Sequence, residues 1–515
     1  MKKKGQGATY MIILACILLT KVLGMLRNSF LSAAYGTGTE ATVFQAISKL
    51  PLTLYDVTLG TAIVSAFIPV FNELFTKEGK SSAEKFAGNF MTLAGSLTAL
   101  ICGLGIAFPK AFVKLVASDF DAERLALGVE MTRVILPVML FATVTYIFIG
   151  ILQSYGEFTA PSLVSLFTNL AIILYFLVFD RWFGIMGLAV AFTIGWVLQF
   201  LFLLPFIIKK KFKFSFSFKL SVNMRRVLLL TLPLFVTSLA QPINSIISTR
   251  LSSGMEPSAM SVLNYSYDAY FILAAVFASA MTNLYFPELS RRFAAGDKAG
   301  SAEIGGKMLK TVSCIVLPIS VFMMVCGEPI IRVLYQRGDF TAADTKAVAG
   351  CLAIYCVGML ALSFQEILNK YFYSMQKPQY PMLAAVGGIL LNLGLSYLFV
   401  NIWGEYRLLA LSTVLSGWFM AGVLMIVARF KVKALIGKHL FVSLLKTLLA
   451  SLALGAGAYG VRLLLDGEGM LRSILCALAA LAVGAVLYFG ILWLTRSEEL
   501  SEILTLISKK KGAEK

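Results

Sequence analysis

Two cations interrupt the first long apolar run of this chain. Lys21 and Arg27 stand in Thr20-Lys21-Val22-Leu23-Gly24-Met25-Leu26-Arg27-Asn28. A charge at mid-bilayer depth costs at least ~2.5–3.5 kcal/mol on insertion scales, so two in one span call for water, a counter-ion or an anionic ligand. On a helix of 3.6 residues per turn their spacing puts them roughly 120° apart, in one broad sector, and Asn28 shares the Lys21 stripe. The chemistry that fits is capture of an anion, phosphate above all. The plainer alternative is that each side chain snorkels to a membrane interface.

Further polar positions fall in other apolar runs. The second predicted span carries Lys49, Pro51, Tyr55 and Asp56. Lys49 and Asp56 fall on one helical face, and Pro51 is expected to bend the helix. The eighth carries Asp268 among Tyr265, Tyr267 and Tyr270, and the seventh ends on Arg250. Glu366 and Lys370 stand one turn apart in the tenth, where a local pair is the alternative reading. Ionisable residues within spans face a bundle interior or an aqueous cavity, so these positions predict a polar, net cationic lumen.

The elements that must hold these residues are membrane helices. Of 515 residues, 58% are hydrophobic and only 14% charged, with a mean hydropathy of +0.83. Windows of ~20 apolar residues predict an all-α polytopic membrane protein with about fourteen spans, centred near residues 20, 58, 97, 138, 170, 195, 238, 274, 315, 358, 390, 417, 452 and 483. Long continuous runs exclude a β-barrel. The opening Met1-Lys2-Lys3-Lys4 and its long apolar run are expected to stay as a span rather than be cleaved.

Lysine and arginine cluster at every second loop, from Lys77/Lys80/Lys85 through Lys209-Lys210-Lys211-Phe212-Lys213 and Arg291-Arg292 to Lys509-Lys510-Lys511. The intervening loops are short and often acidic, as in Asp119-Phe120-Asp121 and Asp466-Gly467-Glu468. This bias predicts a plasma-membrane protein with both termini cytoplasmic and accounts for the net charge of +18 without nucleic acid. Seven scattered cysteines and one histidine, His439, offer no zinc site, disulfide framework or histidine dyad. No Walker motif is present, so no nucleotide cofactor is expected.

The chain repeats at a spacing of about 220 residues. Ile151-Leu152-Gln153-Ser154-Tyr155 before Pro161 mirrors Tyr371-Phe372-Tyr373-Ser374-Met375 before Pro381, and Ala66-Phe67-Ile68-Pro69 mirrors Leu284-Tyr285-Phe286-Pro287. Six spans separate the copies, which predicts a parallel repeat of two six-helix lobes around a midplane cavity. The expected organisation is an N-terminal lobe over 1–208, a basic linker over 209–226, a C-terminal lobe over 227–430, and two added helices with a basic tail over 431–515.

At this point the residues resemble a family. Thr20 to Arg27, then Ala34-Tyr35-Gly36, together with Lys49-Leu50-Pro51, Phe286-Pro287-Glu288-Leu289-Ser290 and Tyr335-Gln336-Arg337-Gly338-Asp339-Phe340-Thr341-Ala342-Ala343-Asp344, are similar to the MurJ (MviN) lipid II flippases. These belong to the multidrug/oligosaccharidyl-lipid/polysaccharide exporter superfamily. The resemblance implies a cationic central cavity, a groove formed by the last two spans for a polyprenyl tail, and alternating access. The implied cargo is lipid II, an undecaprenyl-pyrophosphate-linked peptidoglycan precursor. It also implies that Lys21 and Arg27 meet the charged head group. Together with the spans, it leads us to expect a monomer in a bacterial membrane, in contact with membrane lipids and driven by the membrane potential, H+ or Na+.

The chain departs from that pattern at several positions. A family arginine falls on Tyr55, another on Asp268, an acid on Thr42, and an acid linked with sodium binding on Ser396, although Asn392 fits its polar neighbour. The candidate substrate-binding set is therefore Lys21, Arg27, Asn28, Lys49, Tyr55, Asp56, Arg250, Asp268 and Glu366, with Asn392 and Ser396 as ion candidates. Competing functions are a flippase for another undecaprenyl-linked glycan, a cation-coupled drug exporter, and a membrane glycosyltransferase. The last needs convergent carboxylates that the short outer loops do not supply.

Overall fold

A computed structural model of the chain describes residues 3–60, 67–219, 235–432, 435–467 and 469–495. Among them every regular element is helical. In chain order these are α1 (Lys3–Tyr35), α2 (Thr39–Tyr55) with a π-helical turn over Asp56–Gly60, α3 (Ile68–Lys77), α4 (Lys80–Ala107), α5 (Pro109–Val116), α6 (Ala122–Ile135), α7 (Val138–Ser154), α8 (Thr159–Val178) and α9 (Asp180–Lys209). There follow α10 (Ala240–Ser252), α11 (Ala259–Ala294), α12 (Lys298–Tyr335), α13 (Ala342–Val357), α14 (Met359–Ser374), α15 (Gln379–Trp403), α16 (Arg407–Lys431), α17 (Lys438–Leu465) and α18 (Met470–Leu494).

Nine helices among the described residues are long and apolar enough to cross a membrane, or ten with α13 and α14, bent by 42° at their junction, taken as one span. The protein is therefore an integral membrane protein, with nine or ten of the fourteen expected spans supported. The spans expected near residues 20 and 274 fall on α1 and α11, which at 33 and 36 residues are ~50 and ~54 Å long against a hydrocarbon core of about 30 Å. Residues 61–66 and 220–234, within the spans expected near 58 and 238, lie outside the described residues, as do Arg225-Arg226 and the tail Lys509-Lys510-Lys511.

The chain divides into two compact units, 1–261 and 262–515. In the first, α8 packs on α1 and α9, while α7 packs on α4 and α9. Its interior is aromatic: Phe67 stacks on Phe86 and lies 4.9 Å from Phe90. α10 groups with this unit. In the second, α12 is central and packs against α13, α14 and the α17–α18 hairpin. Gly455 and Gly457 permit that packing, since an added Cβ would lie 2.6 Å from Val321 and 2.4 Å from Leu487. Gly460 has no such neighbour within 4 Å.

The repeat is carried down to single turns. Ser154 and Ser374 each bond back to the carbonyl four residues earlier, Gly150 at 2.9 Å and Lys370 at 3.0 Å. The chain then turns through a left-handed residue, Gly156 at φ 76° and Gln376 at φ 55°. The next amides close the same six-residue cap, Glu157 N to Leu152 O and Lys377 N to Phe372 O, both 2.9 Å. A third correspondence, at the same spacing, is the turn into α6 and α13: Asp119-Phe120-Asp121 and Asp339-Phe340-Thr341. Asp121 caps the first, accepting from Arg124 N at 2.8 Å. Thr341 and Asp344 form a capping box on the second. The Tyr335–Asp344 run is thus a helix-to-helix turn, with Phe340 buried between Tyr265 and Tyr335.

Candidate functional site

α1, which carries the two cations, is held against α8 and α9 at several points. Phe30 stacks on Phe176 of α8 with ring centroids 6.0 Å apart. The Tyr35 hydroxyl donates to Asp180 at 2.6 Å, where α9 begins. Midway, Asn169 Nδ2 of α8 donates to the Thr20 carbonyl at 3.1 Å. Gly24 passes that amide closely, an added Cβ falling 3.9 Å from it. Lys21, next to the anchored carbonyl, is exposed, and Arg27 is half-buried. Asn28 is buried and its side-chain oxygen accepts from Arg27 Nε and Nη2 at 3.2 and 3.0 Å. Asn28 therefore orients the Arg27 guanidinium.

The other candidates of the first unit divide by exposure. Lys49 is half-buried and its carbonyl accepts from Thr53 at 2.9 Å. Asp56 is exposed at the start of the π-helical turn, an element that recurs at functional sites. Arg250 is exposed in the last turn of α10. Tyr55 is only 3% exposed and stacks on Tyr146 at 5.0 Å. Its ring packs in the core of the first unit.

In the second unit Asp268 is half-buried on α11 beside Tyr267, whose ring stacks on Phe271 and meets Tyr355 edge-on, both at 5.5 Å. Glu366 is half-buried on α14. Asn392 and Ser396 lie on α15. Both are 1% exposed and turn into α16, Ser396 Oγ lying 2.7 Å from Ser412 Oγ and Asn392 Nδ2 donating to Thr413 Oγ1 at 3.4 Å. Their polar atoms serve as interhelical contacts within an apolar layer. Among the described residues no group of three or more His, Cys, Asp or Glu could hold a metal ion.

A feature not foreseen is a four-charge cluster where the hairpin meets α12. Arg332 bonds Glu328 and Asp466 at 3.1 Å each, and the Gly467 carbonyl at 2.9 Å. Arg462 bonds the same acids at 2.5 and 3.0 Å. Burial works against ionisation of Asp466, but Arg462 and Arg332 hold its carboxyl below the usual range. The cluster borders a cavity of about 490 Å³. The sequence signals were Glu328/Arg332 and Arg462/Asp466, each one helical turn apart.

A profile described as Lipid II flippase MurJ matches residues 31–479. The chain belongs to the lipid II flippase MurJ family. Curated relatives include a probable lipid II flippase MurJ of Rhizobium tropici, 28% identical over 78% of this chain and 77% of that protein. The lipid II flippase MurJ of Burkholderia cenocepacia is 26% identical over 75% and 77%. Among solved structures, lipid II flippase MurJ in an inward closed conformation superposes with a TM-score of 0.77 at 20% identity, covering 94% of this chain and 99% of that one. An inward-facing MATE family transporter of the MOP superfamily gives 0.61 at 16% identity, over 82% and 98%. At these identities the structural likeness speaks for the fold alone, and it is the family's.

Proposed function

We propose that this protein flips lipid II across the plasma membrane by alternating access, supplying cell-wall synthesis. One observation supports the reading most directly. In a MurJ-family chain, the helix bearing Lys21 and Arg27 is anchored by Asn169, Phe176 and Asp180, with Lys21 exposed and Arg27 oriented by Asn28. Two cations presented in this way suit a pyrophosphate leaving water. Asp56 and Arg250 in the first unit and Asp268 and Glu366 in the second are further polar candidates in this scheme, and the polyprenyl tail follows the lipid-exposed α17 and α18. The protein works as a monomeric transporter, forming and breaking no covalent bond, with both termini cytoplasmic. The membrane potential or a proton or sodium gradient drives the cycle.

Lys21→Ala and Arg27→Ala, each at wild-type protein level, should fail to rescue cells depleted of their lipid II flippase, and lipid II should stay inaccessible at the outer face. Normal rescue by both would overturn the assigned roles. The departures at Tyr55 and Asp268 favour one second reading, a flippase for a different undecaprenyl-linked glycan. In that case the wild-type protein itself would fail to rescue.

A further inference from the structure

The basic segment after α9 is built as a surface, not as a loose connection. α9 closes with a two-bond cap, Lys211 N to Ile208 O at 2.8 Å and Phe212 N to Ile207 O at 3.5 Å. Lys211 sits at φ 52°, the left-handed position that such caps usually give to glycine. Lys80 of α4 donates to the carbonyls of Lys210 and Lys211 at 2.8 and 3.3 Å. Residues 212–219 then run without helix along α4. Asn89 donates to the carbonyls of Ser217 and Lys219 at 2.7 and 2.8 Å. Gly88 makes room for the close approach: an added Cβ would collide with the Ser215 carbonyl at 2.2 Å.

Alternation sets what this strap displays. Ser215 and Ser217 face α4, whereas Phe214, Phe216 and Phe218 are 44%, 88% and 70% exposed. Phe212 alone of that row is buried. Lys209, Lys211, Lys213 and Lys219 are exposed among them, and residues 209–219 contain no acid. Water is a poor partner for three aromatic rings in a row, and no acid in the strap neutralises its lysines.

We propose that residues 209–219 are a binding site for anionic phospholipid head groups, with Phe214, Phe216 and Phe218 seated in the interfacial layer and the lysines on lipid phosphates. The occupant follows from position and charge. The strap starts where α9 leaves the membrane, so its lysines and rings lie at head-group level without any movement of the chain. Basic segments beside a span are attracted to acidic lipid, and aromatic rings favour the same depth. Lysine at the glycine-favouring position 211 fits this: the cation is retained at a backbone site that would be more comfortable without a side chain. The strap would then couple the lipid surface to the start of α4 through Lys80 and Asn89.

The test uses the full-length protein in nanodiscs of phosphatidylcholine alone or mixed with phosphatidylglycerol, with acetylation of individual lysines followed by mass spectrometry. Lys209, Lys211, Lys213 and Lys219 should react about five-fold more slowly in the anionic discs, matching ~1 kcal/mol per lysine near an acidic surface. High salt should remove the protection. A Phe216→Ser/Phe218→Ser variant keeps every lysine and should lose most of the protection, which separates a docked strap from general attraction of cations. Equal acetylation in both bilayers would overturn the proposal and leave an acidic soluble protein as the strap's partner. Undiminished protection in the phenylalanine variant would overturn it too.

Discussion

Glu328→Gln isolates the four-charge cluster that holds the hairpin on α12. The substitution keeps the side chain's size and one acceptor but removes its charge. Glu328 serves both Arg332, at 3.1 Å, and Arg462, at 2.5 Å, with 18% of its side chain exposed. Each charge-assisted bond is worth ~1.5–3 kcal/mol. Since the amide retains part of one bond and the rim is wet, the net loss should be ~2–3 kcal/mol. A unit of roughly 250 residues loses about 2–4 °C per kcal/mol, so unfolding in detergent should fall by ~4–12 °C. Arg462→Met should cost a similar amount, and the double variant clearly less than the sum, because each single change strands the other charge. The acid side has a defined sign. Asp466 is held below its ordinary value, so its stabilisation is complete above the unfolded carboxylate pKa of about 4 and is lost as pH falls through the lower folded value. The gap between wild type and Asp466→Asn should therefore be constant at neutral pH and close only in strong acid. Strict additivity of Glu328→Gln and Arg462→Met, or a shift under one degree, would refute the reasoning.

Other substitutions probe the scaffold around the cations. Gly195→Ala puts a Cβ 2.7 Å from Thr168 Cα, which a backbone cannot yield; α9 must move off α8, and thermal unfolding should report a loss of ~1–3 kcal/mol. Asn169→Leu removes the bond to the Thr20 carbonyl. It should lower stability by only ~1 kcal/mol, yet reduce outer-face lipid II several-fold at unchanged protein level; full activity would show that this anchor does not position Lys21. Asn392→Ala and Ser396→Ala should each cost about 1 kcal/mol or less and leave any sodium dependence of transport unchanged. A shifted sodium dependence would restore them as ion ligands.

Much of the architecture was legible because its causes are local. Unbroken apolar runs can only be membrane helices, and the Pro161/Pro381 and Ser154/Ser374 correspondences recur because the same turn chemistry ends the same helix twice. The charged residues of α1 were legible for the same reason, since bilayer depth makes a lysine conspicuous whatever surrounds it. The packing of Tyr55, Asn392 and Ser396 was not legible, because a family position gives the backbone site and not the direction of packing. Stacking on Tyr146 and bonding to Ser412 each depend on a partner many residues away.

By itself the sequence determined a polytopic helical membrane protein, an internal repeat, and a first helix whose cations demand an anion or water. Burial of apolar length and the cost of charge in hydrocarbon decide those matters residue by residue. Tertiary structure alone decided which polar groups are consumed. Asn28 turns to Arg27, Asn169 takes the carbonyl beside Lys21, and Glu328 and Asp466 spend their charge on Arg332 and Arg462. It also decided that Phe216 and Phe218 face outward, because Gly88 and Asn89 of α4 grip the other side of their strand of chain. A hydrogen bond or a close approach needs two partners in place, and only the folded chain brings them together.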